Sequence, residues 1–206
     1  MIKVVSVCGS PVPGSSTEIL LKRIVGAIAA SLSTKVRHDF TRLSECDISP
    51  CQACGEAPTP QFCFIDDAMT TLYRTLERCD CLLFGSPIYF DSISAQAKAF
   101  IDRCNCMRPP DFNGAHAPHH FVRLIHRQCP GAIVLVGGEQ AWYEGARRCI
   151  AGFFKWIEVT NEAVLKFTST DFNRIGEAAE HPDALHEADR IGRQLAQTVR
   201  KQYGRR

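Results

Sequence analysis

Short apolar runs alternate along this chain with longer stretches in which apolar residues recur at helical spacing, and that alternation narrows the possible folds sharply. Ile2 to Cys8 is a buried-type run that stops at Gly9, while Leu20, Ile24, Ala27 and Ile28 mark one face of a helix from Thr17 to Leu32. The same reading gives strands at Lys35 to Phe40, Cys79 to Phe84 and Ala132 to Val136, with a short fifth at Ala163 to Phe167. Helices are predicted from Asp66-Asp67 to Arg78, Ser94 to Arg103, Trp142 to Trp156 and Pro182 to Tyr203. Parallel strands need crossover connections, and these are right-handed helices, so the pattern predicts an α/β fold. The expected architecture is a three-layer sandwich, a five-stranded parallel sheet with helices on both faces, as one domain over residues 1–206.

Composition narrows the function classes. A hydrophobic content of 45% in 206 residues is enough for one sizeable core. The net charge is only +2 with both signs interspersed, which argues against nucleic acid as a partner; the basic stretch Arg200 to Arg206 reads as a solvated helix end. Neither a signal peptide nor a membrane-length apolar stretch is visible, so the expected location is cytoplasmic, with no membrane partner. Eleven cysteines, an odd number in a chain of this size, read as mostly reduced thiols rather than a disulfide framework.

In open α/β sheets ligands sit beyond the C-terminal strand ends, where the strand order reverses, so the loop after the first strand is the first candidate site. It reads Gly9-Ser10-Pro11-Val12-Pro13-Gly14-Ser15-Ser16-Thr17. Hydroxyls at Ser10, Ser15, Ser16 and Thr17 stand just before or at a helix N-terminus, whose unpaired N–H groups and partial positive charge suit a phosphate. Ser15 also fits an N-cap with Glu18 completing a capping box, a role that leaves the run of three hydroxyls unexplained. The loop matches neither the dinucleotide fingerprint Gly-x-Gly-x-x-Gly nor the Walker pattern.

After the third strand comes Gly85-Ser86-Pro87-Ile88-Tyr89-Phe90, followed by Ser94-Ala95-Gln96-Ala97-Lys98-Ala99-Phe100-Ile101-Asp102-Arg103. Tyr89 and Phe90, at a strand's C-terminal end, could flank a planar ring or be ordinary core or interface aromatics. With the first loop and the Cys51-x-x-Cys54 segment that precedes Cys63 and Asp66-Asp67-Ala68-Met69, these motifs resemble the flavodoxin-like NAD(P)H-dependent FMN reductase family, and within it the iron–sulfur flavoprotein branch. The resemblance covers most of residues 1–155.

That resemblance implies FMN as the cofactor, with its phosphate on Ser10, Ser15, Ser16 and Thr17 and its isoalloxazine lined by Pro87, Ile88, Tyr89 and Phe90. Gly137 and Gly138 fall where the family lets backbone approach the ring. One departure stands out: family members often carry Arg where this chain has Val12, leaving phosphate binding to hydroxyls and the helix end. The implied activity is that of an NAD(P)H-dependent FMN reductase or flavin oxidoreductase, passing electrons through bound flavin to a small acceptor such as a quinone, flavin, metal ion or nitro compound. No catalytic side chain is expected, because the flavin carries the chemistry. A homodimer or homotetramer is implied, with Met107 to Gln128 long enough to reach a neighbouring subunit. The alternatives are an iron–sulfur flavoprotein, an electron carrier between protein partners without nicotinamide activity, and a flavin-free module on the same fold.

The resembled branch holds a [4Fe-4S] cluster through a compact run of four cysteines, whereas this chain places Ala57 at the third ligand position, between Cys51, Cys54 and Cys63. Alanine cannot ligate iron. Three readings follow: a cluster completed by Cys46, a zinc site from the same thiolates, or ordinary thiols left after loss of a cluster, the last being preferred. Cys8, Cys79 and Cys81 fall in predicted strands and read as small buried hydrophobes, and Cys104 and Cys106 are given no role. His116, His119, His120 and His126 read as part of a solvated or interface loop rather than a metal site.

Overall fold

A computed structural model describes residues 1–54, 62–108, 128–171 and 173–203. Five parallel strands, β1 (Ile2–Cys8), β2 (Val36–Arg42), β3 (Cys81–Pro87), β4 (Cys129–Gly138) and β5 (Val159–Ser169), form one sheet in the order β2-β1-β3-β4-β5. Helices α1 (Ser16–Ser31), α2 (Ala68–Glu77), α3 (Ala95–Arg103), α4 (Glu144–Trp156) and α5 (Pro182–Tyr203) make the crossovers and close the chain. This is the flavodoxin-like α/β sandwich that the alternation implied. The chain leaves β1 to one side for β2 and returns to its other side for β3, so the order reverses between β1 and β3.

Burial explains why some strands were easier to delimit than others. The interior strands β1, β3 and β4 are buried almost throughout and read as continuous apolar runs. Alternate residues feed opposite cores: Val4, Leu83 and Val134 join the layer of α1 and α5, while Val5, Leu82 and Ile133 join that of α2, α3 and α4. The second core centres on Phe84, Phe100 and Phe153, whose ring centroids lie 5.6–5.9 Å apart.

Several boundaries differ from expectation: β2 runs Val36–Arg42 rather than Lys35 to Phe40, and β4, expected over Ala132 to Val136, runs Cys129–Gly138. β3 starts at Cys81 rather than Cys79, because Cys79 and Asp80 form the turn out of α2: Asp80 N–H donates to Lys3 O and its carboxylate accepts from Lys3 N–H at 2.8 Å. β5 is far longer than the short strand expected, because as an edge strand it carries Thr160 and Asn161 among its ladder residues, passes Glu162 at a bulge, and lacks a continuous apolar signature. Among the described residues, no helix is long and apolar enough to cross a membrane. Ala57, the four histidines from His116 to His126 and most of the Met107 to Gln128 segment lie outside the described residues.

Candidate functional site

At the C-terminal edge of the sheet, a cleft opens between the loops that follow β1, β3, β4 and β5. Its lining includes Ser10, Ser15, Ser16 and Thr17 from the first loop, Pro87, Ile88 and Tyr89 from the second, and Gly137 and Gly138 from the end of β4. Nine of the ten residues singled out as cofactor contacts therefore meet in one cavity; the tenth, Phe90, does not line it.

The first loop is held as a modified capping box. Ser15 Oγ accepts from Glu18 N–H at 3.4 Å, while the Glu18 carboxylate reaches back to Gly14 N–H at 2.9 Å, one residue before the cap. Burial alone would raise the pKa of Glu18, but the hydrogen bonds from Lys22, Arg42 and Gly14 outweigh it and lower the pKa to about 2. Lys22 Nζ lies 2.5 Å and an Arg42 guanidinium nitrogen 2.6 Å from that carboxylate. This network of Glu18, Lys22 and Arg42 gave no motif in the sequence, since Arg42 arrives from the end of β2. Ser16 Oγ accepts from Ala178 N–H, which leaves its own proton to donate elsewhere.

The second loop is tied to the first. Ser94, the N-cap of α3, accepts from Ala97 N–H and donates to Gly9 O at 2.7 Å, while Ser94 N–H donates to Ser86 Oγ. Gly85 is required where β3 passes under α1, since a Cβ there would lie 2.7 Å from Thr17 Cγ2. Beyond Pro87, Tyr89 and Ser92 exchange backbone hydrogen bonds around Phe90 and Asp91, which both adopt positive φ. That turn has the twist of a tight hairpin and swings the Phe90 ring fully into solvent. The Asp91 carboxylate accepts from Trp142 N–H at 2.9 Å, anchoring the turn to the approach of α4.

The fourth wall, Ser169, Asp171, Arg174, Ile175 and Gly176, was missed in the sequence. The signal was available: every loop leaving a parallel strand at its C-terminal end borders the same edge, and Ser-Thr-Asp-Phe-Asn-Arg-Ile-Gly is a polar, glycine-terminated stretch of that kind. Buried Glu177 fixes this loop, accepting from Ser169 Oγ at 2.5 Å, Thr170 Oγ1 at 2.6 Å and Thr170 N–H at 3.1 Å. The hydroxyl donors of Ser169 and Thr170 lower its pKa to about 2.

The residues present fit an FMN. Hydroxyls and the first-turn amides of α1 face one end of the cleft, and Pro87, Ile88, Val136 and the peptides of Gly137 and Gly138 offer an apolar wall with polar backbone edges.

Among the described residues, no group of three or more His, Cys, Asp or Glu side chains is placed to hold a metal ion. Cys46 Sγ donates to Arg42 O, Cys54 is exposed, Ala57 brings no donor, and none of the described cysteines lines the cleft. Instead the base of the cysteine loop is clamped by a buried ion pair: Arg103 binds both Asp67 oxygens and also donates to Ser49 O and Ile65 O. Cys8 and Cys81 are buried in β1 and β3, and Cys104 is buried in the core.

Comparison with known proteins agrees with this geometry. The model of the NADPH-dependent FMN reductase family matches residues 2–165. An iron–sulfur flavoprotein of Methanosarcina thermophila is 26% identical over 201 residues, covering 97% of this chain and 93% of that protein. Among solved structures, a flavone reductase superposes with a TM-score of 0.64 at 13% identity, covering 97% of this chain and 63% of that one. An archaeal flavodoxin superposes with a TM-score of 0.54 at 15% identity, covering 97% of this chain and 99% of its own. These two show the shared fold. The match over most of the sequence places the chain in the NADPH-dependent FMN reductase family, among the flavin oxidoreductases.

Proposed function

We propose that the cleft holds FMN and that the protein is an NAD(P)H-dependent reductase passing electrons to a small acceptor such as a quinone, flavin, metal ion or nitro compound. The observation that carries this reading is the convergence, at the β1/β3 reversal, of a hydroxyl-bearing helix N-terminus with an apolar wall and paired glycine peptides. Bound flavin supplies the hydride and electron transfer. The chain's task is to bind and orient. Ser10, Ser15, Ser16 and Thr17 with the α1 amides hold the phosphate; Pro87, Ile88 and Tyr89 pack along the ring; and the Gly137-Gly138 peptides approach its polar edge. Tyr89 is about half exposed at the mouth of the cleft and limits how acceptors approach. No proton donor or base is required of the protein.

The purified protein should show a flavin spectrum that is bleached anaerobically by NADH or NADPH and restored by a quinone. A colourless protein that takes up no added FMN would refute the cofactor; bound flavin that neither nicotinamide reduces would refute the donor.

A further inference from the structure

The wall missed in the sequence also supplies what the phosphate loop lacks. Position 12, often Arg in the resembled family, is Val12, and the nearby cations Lys22 and Arg42 are both committed to Glu18. Of the described residues lining the cleft, the charged ones are Asp171 and Arg174. We infer that Arg174 recognises the phosphate of the flavin nucleotide, taking over from the neighbouring β5 loop the role left open at Val12. The inference rests on the FMN reading above and assigns to it a residue contributed by the β5 loop.

Placement supports it. Gly176, two residues on, adopts the left-handed conformation and packs so closely on the phosphate loop that a Cβ would lie 2.7 Å from Gly14 O. Ala178 N–H donates to Ser16 Oγ at 3.1 Å, and Arg174 N–H donates to Asp171 O at 3.1 Å within the loop that Glu177 holds. The Arg174 backbone is thus fixed beside the phosphate loop while its side chain remains 47% exposed. Its carboxylate partner, Glu180, is 64% exposed, and a solvated pair of this kind is weakly held. A phosphate dianion flanked by hydroxyls and a helix N-terminus is the better partner, because guanidinium binds it through paired charge-assisted hydrogen bonds. Arg174 therefore exchanges Glu180 for phosphate when the nucleotide enters.

The test compares FMN with riboflavin, which lacks only the phosphate, by fluorescence titration of the flavin-stripped full-length protein. Wild type should prefer FMN. Arg174→Gln should lose roughly 10- to 100-fold in FMN affinity, as expected for a hydrogen-bonded charge, and leave riboflavin affinity unchanged. Arg174→Lys should recover part of the loss, and Glu180→Gln, which frees the guanidinium, should tighten FMN. Unchanged FMN binding by Arg174→Gln, or an equal loss for both flavins, would overturn the assignment while leaving the flavin site intact. A wild-type protein that binds neither flavin would remove the FMN reading and this inference together.

Discussion

Ser16 Oγ accepts a hydrogen bond from Ala178 N–H at 3.1 Å, joining the first residue of α1 to the turn before α5 across most of the chain. Two walls of the cleft, the phosphate loop and the β5 loop, are therefore one mechanical unit. Ser16→Ala removes this acceptor and a candidate phosphate donor at once. The variant should lose about 1 kcal/mol of stability and bind FMN roughly tenfold more weakly. Chemical denaturation and flavin fluorescence titration check the two effects separately, and unchanged FMN affinity would take Ser16 off the phosphate.

Gly85 gives a second handle on the same unit from beneath. A methyl group there meets Thr17 Cγ2 at 2.7 Å and Leu21 Cδ1 at 2.9 Å. Gly85→Ala should cost about 1–3 kcal/mol through overpacking, and it should also weaken FMN, because the crowded side chains, Thr17 and Leu21, belong to the start of α1 that borders the cleft. Loss of stability with FMN binding intact would show that the first turn does not set the phosphate site.

The strands and helices were legible because interior parallel strands are apolar throughout and amphipathic helices repeat at their own period, so Ile2–Cys8 and Pro182–Tyr203 were found as they stand. The hydroxyls of the first loop and the Pro87 to Tyr89 wall were legible because a helix N-terminus and a strand end fix where such residues must lie. Arg174 was not, since the approach of its loop to Gly14, made through Gly176, depends on how far β5 runs and on Glu177 folding the loop back, and neither leaves a short-range pattern. Phe90 stands apart from the other nine for a local reason: two successive positive φ values reverse the chain and leave its ring fully exposed, outside the cleft lining.

Acid stability should report on Glu18. Its folded pKa, about 2, lies below the ordinary 4.5, so its contribution is fully present above pH 4.5 and is lost as pH falls toward 2. The melting temperature of the wild type should drop through that window. Glu18→Gln should start lower at neutral pH and fall less steeply on acidification. Parallel curves would mean that the links from Gly14, Lys22 and Arg42 to this carboxylate do not stabilise the fold.

Phe90 and Trp142 are large exposed aromatics joined through the Asp91 turn beside the cleft, and the family resemblance implies a homodimer or homotetramer. Light scattering should give a mass well above the 22.9 kDa of one chain. A monomer at micromolar concentration would leave each cleft without a wall from a neighbour.

The cysteine loop should carry no complete [4Fe-4S] cluster, although the Methanosarcina thermophila relative is named an iron–sulfur flavoprotein. Such a cluster is held by four thiolates, and Ala57 stands at the third position of the run formed with Cys51, Cys54 and Cys63. The substitute nearest in sequence, Cys46, donates its thiol to Arg42 O at 3.5 Å, and burial pushes its pKa up, which disfavours the thiolate that iron requires. At the base of the loop, Arg103 joins Asp67 to the carbonyls of Ser49 and Ile65. Anaerobic purification followed by iron and acid-labile sulfide analysis should find flavin with negligible iron. About four irons per chain would show instead that Cys46 or another thiol replaces the missing ligand. Cys46→Ser would then separate the two, abolishing the iron if Cys46 is the fourth ligand and leaving it in place if another cysteine serves.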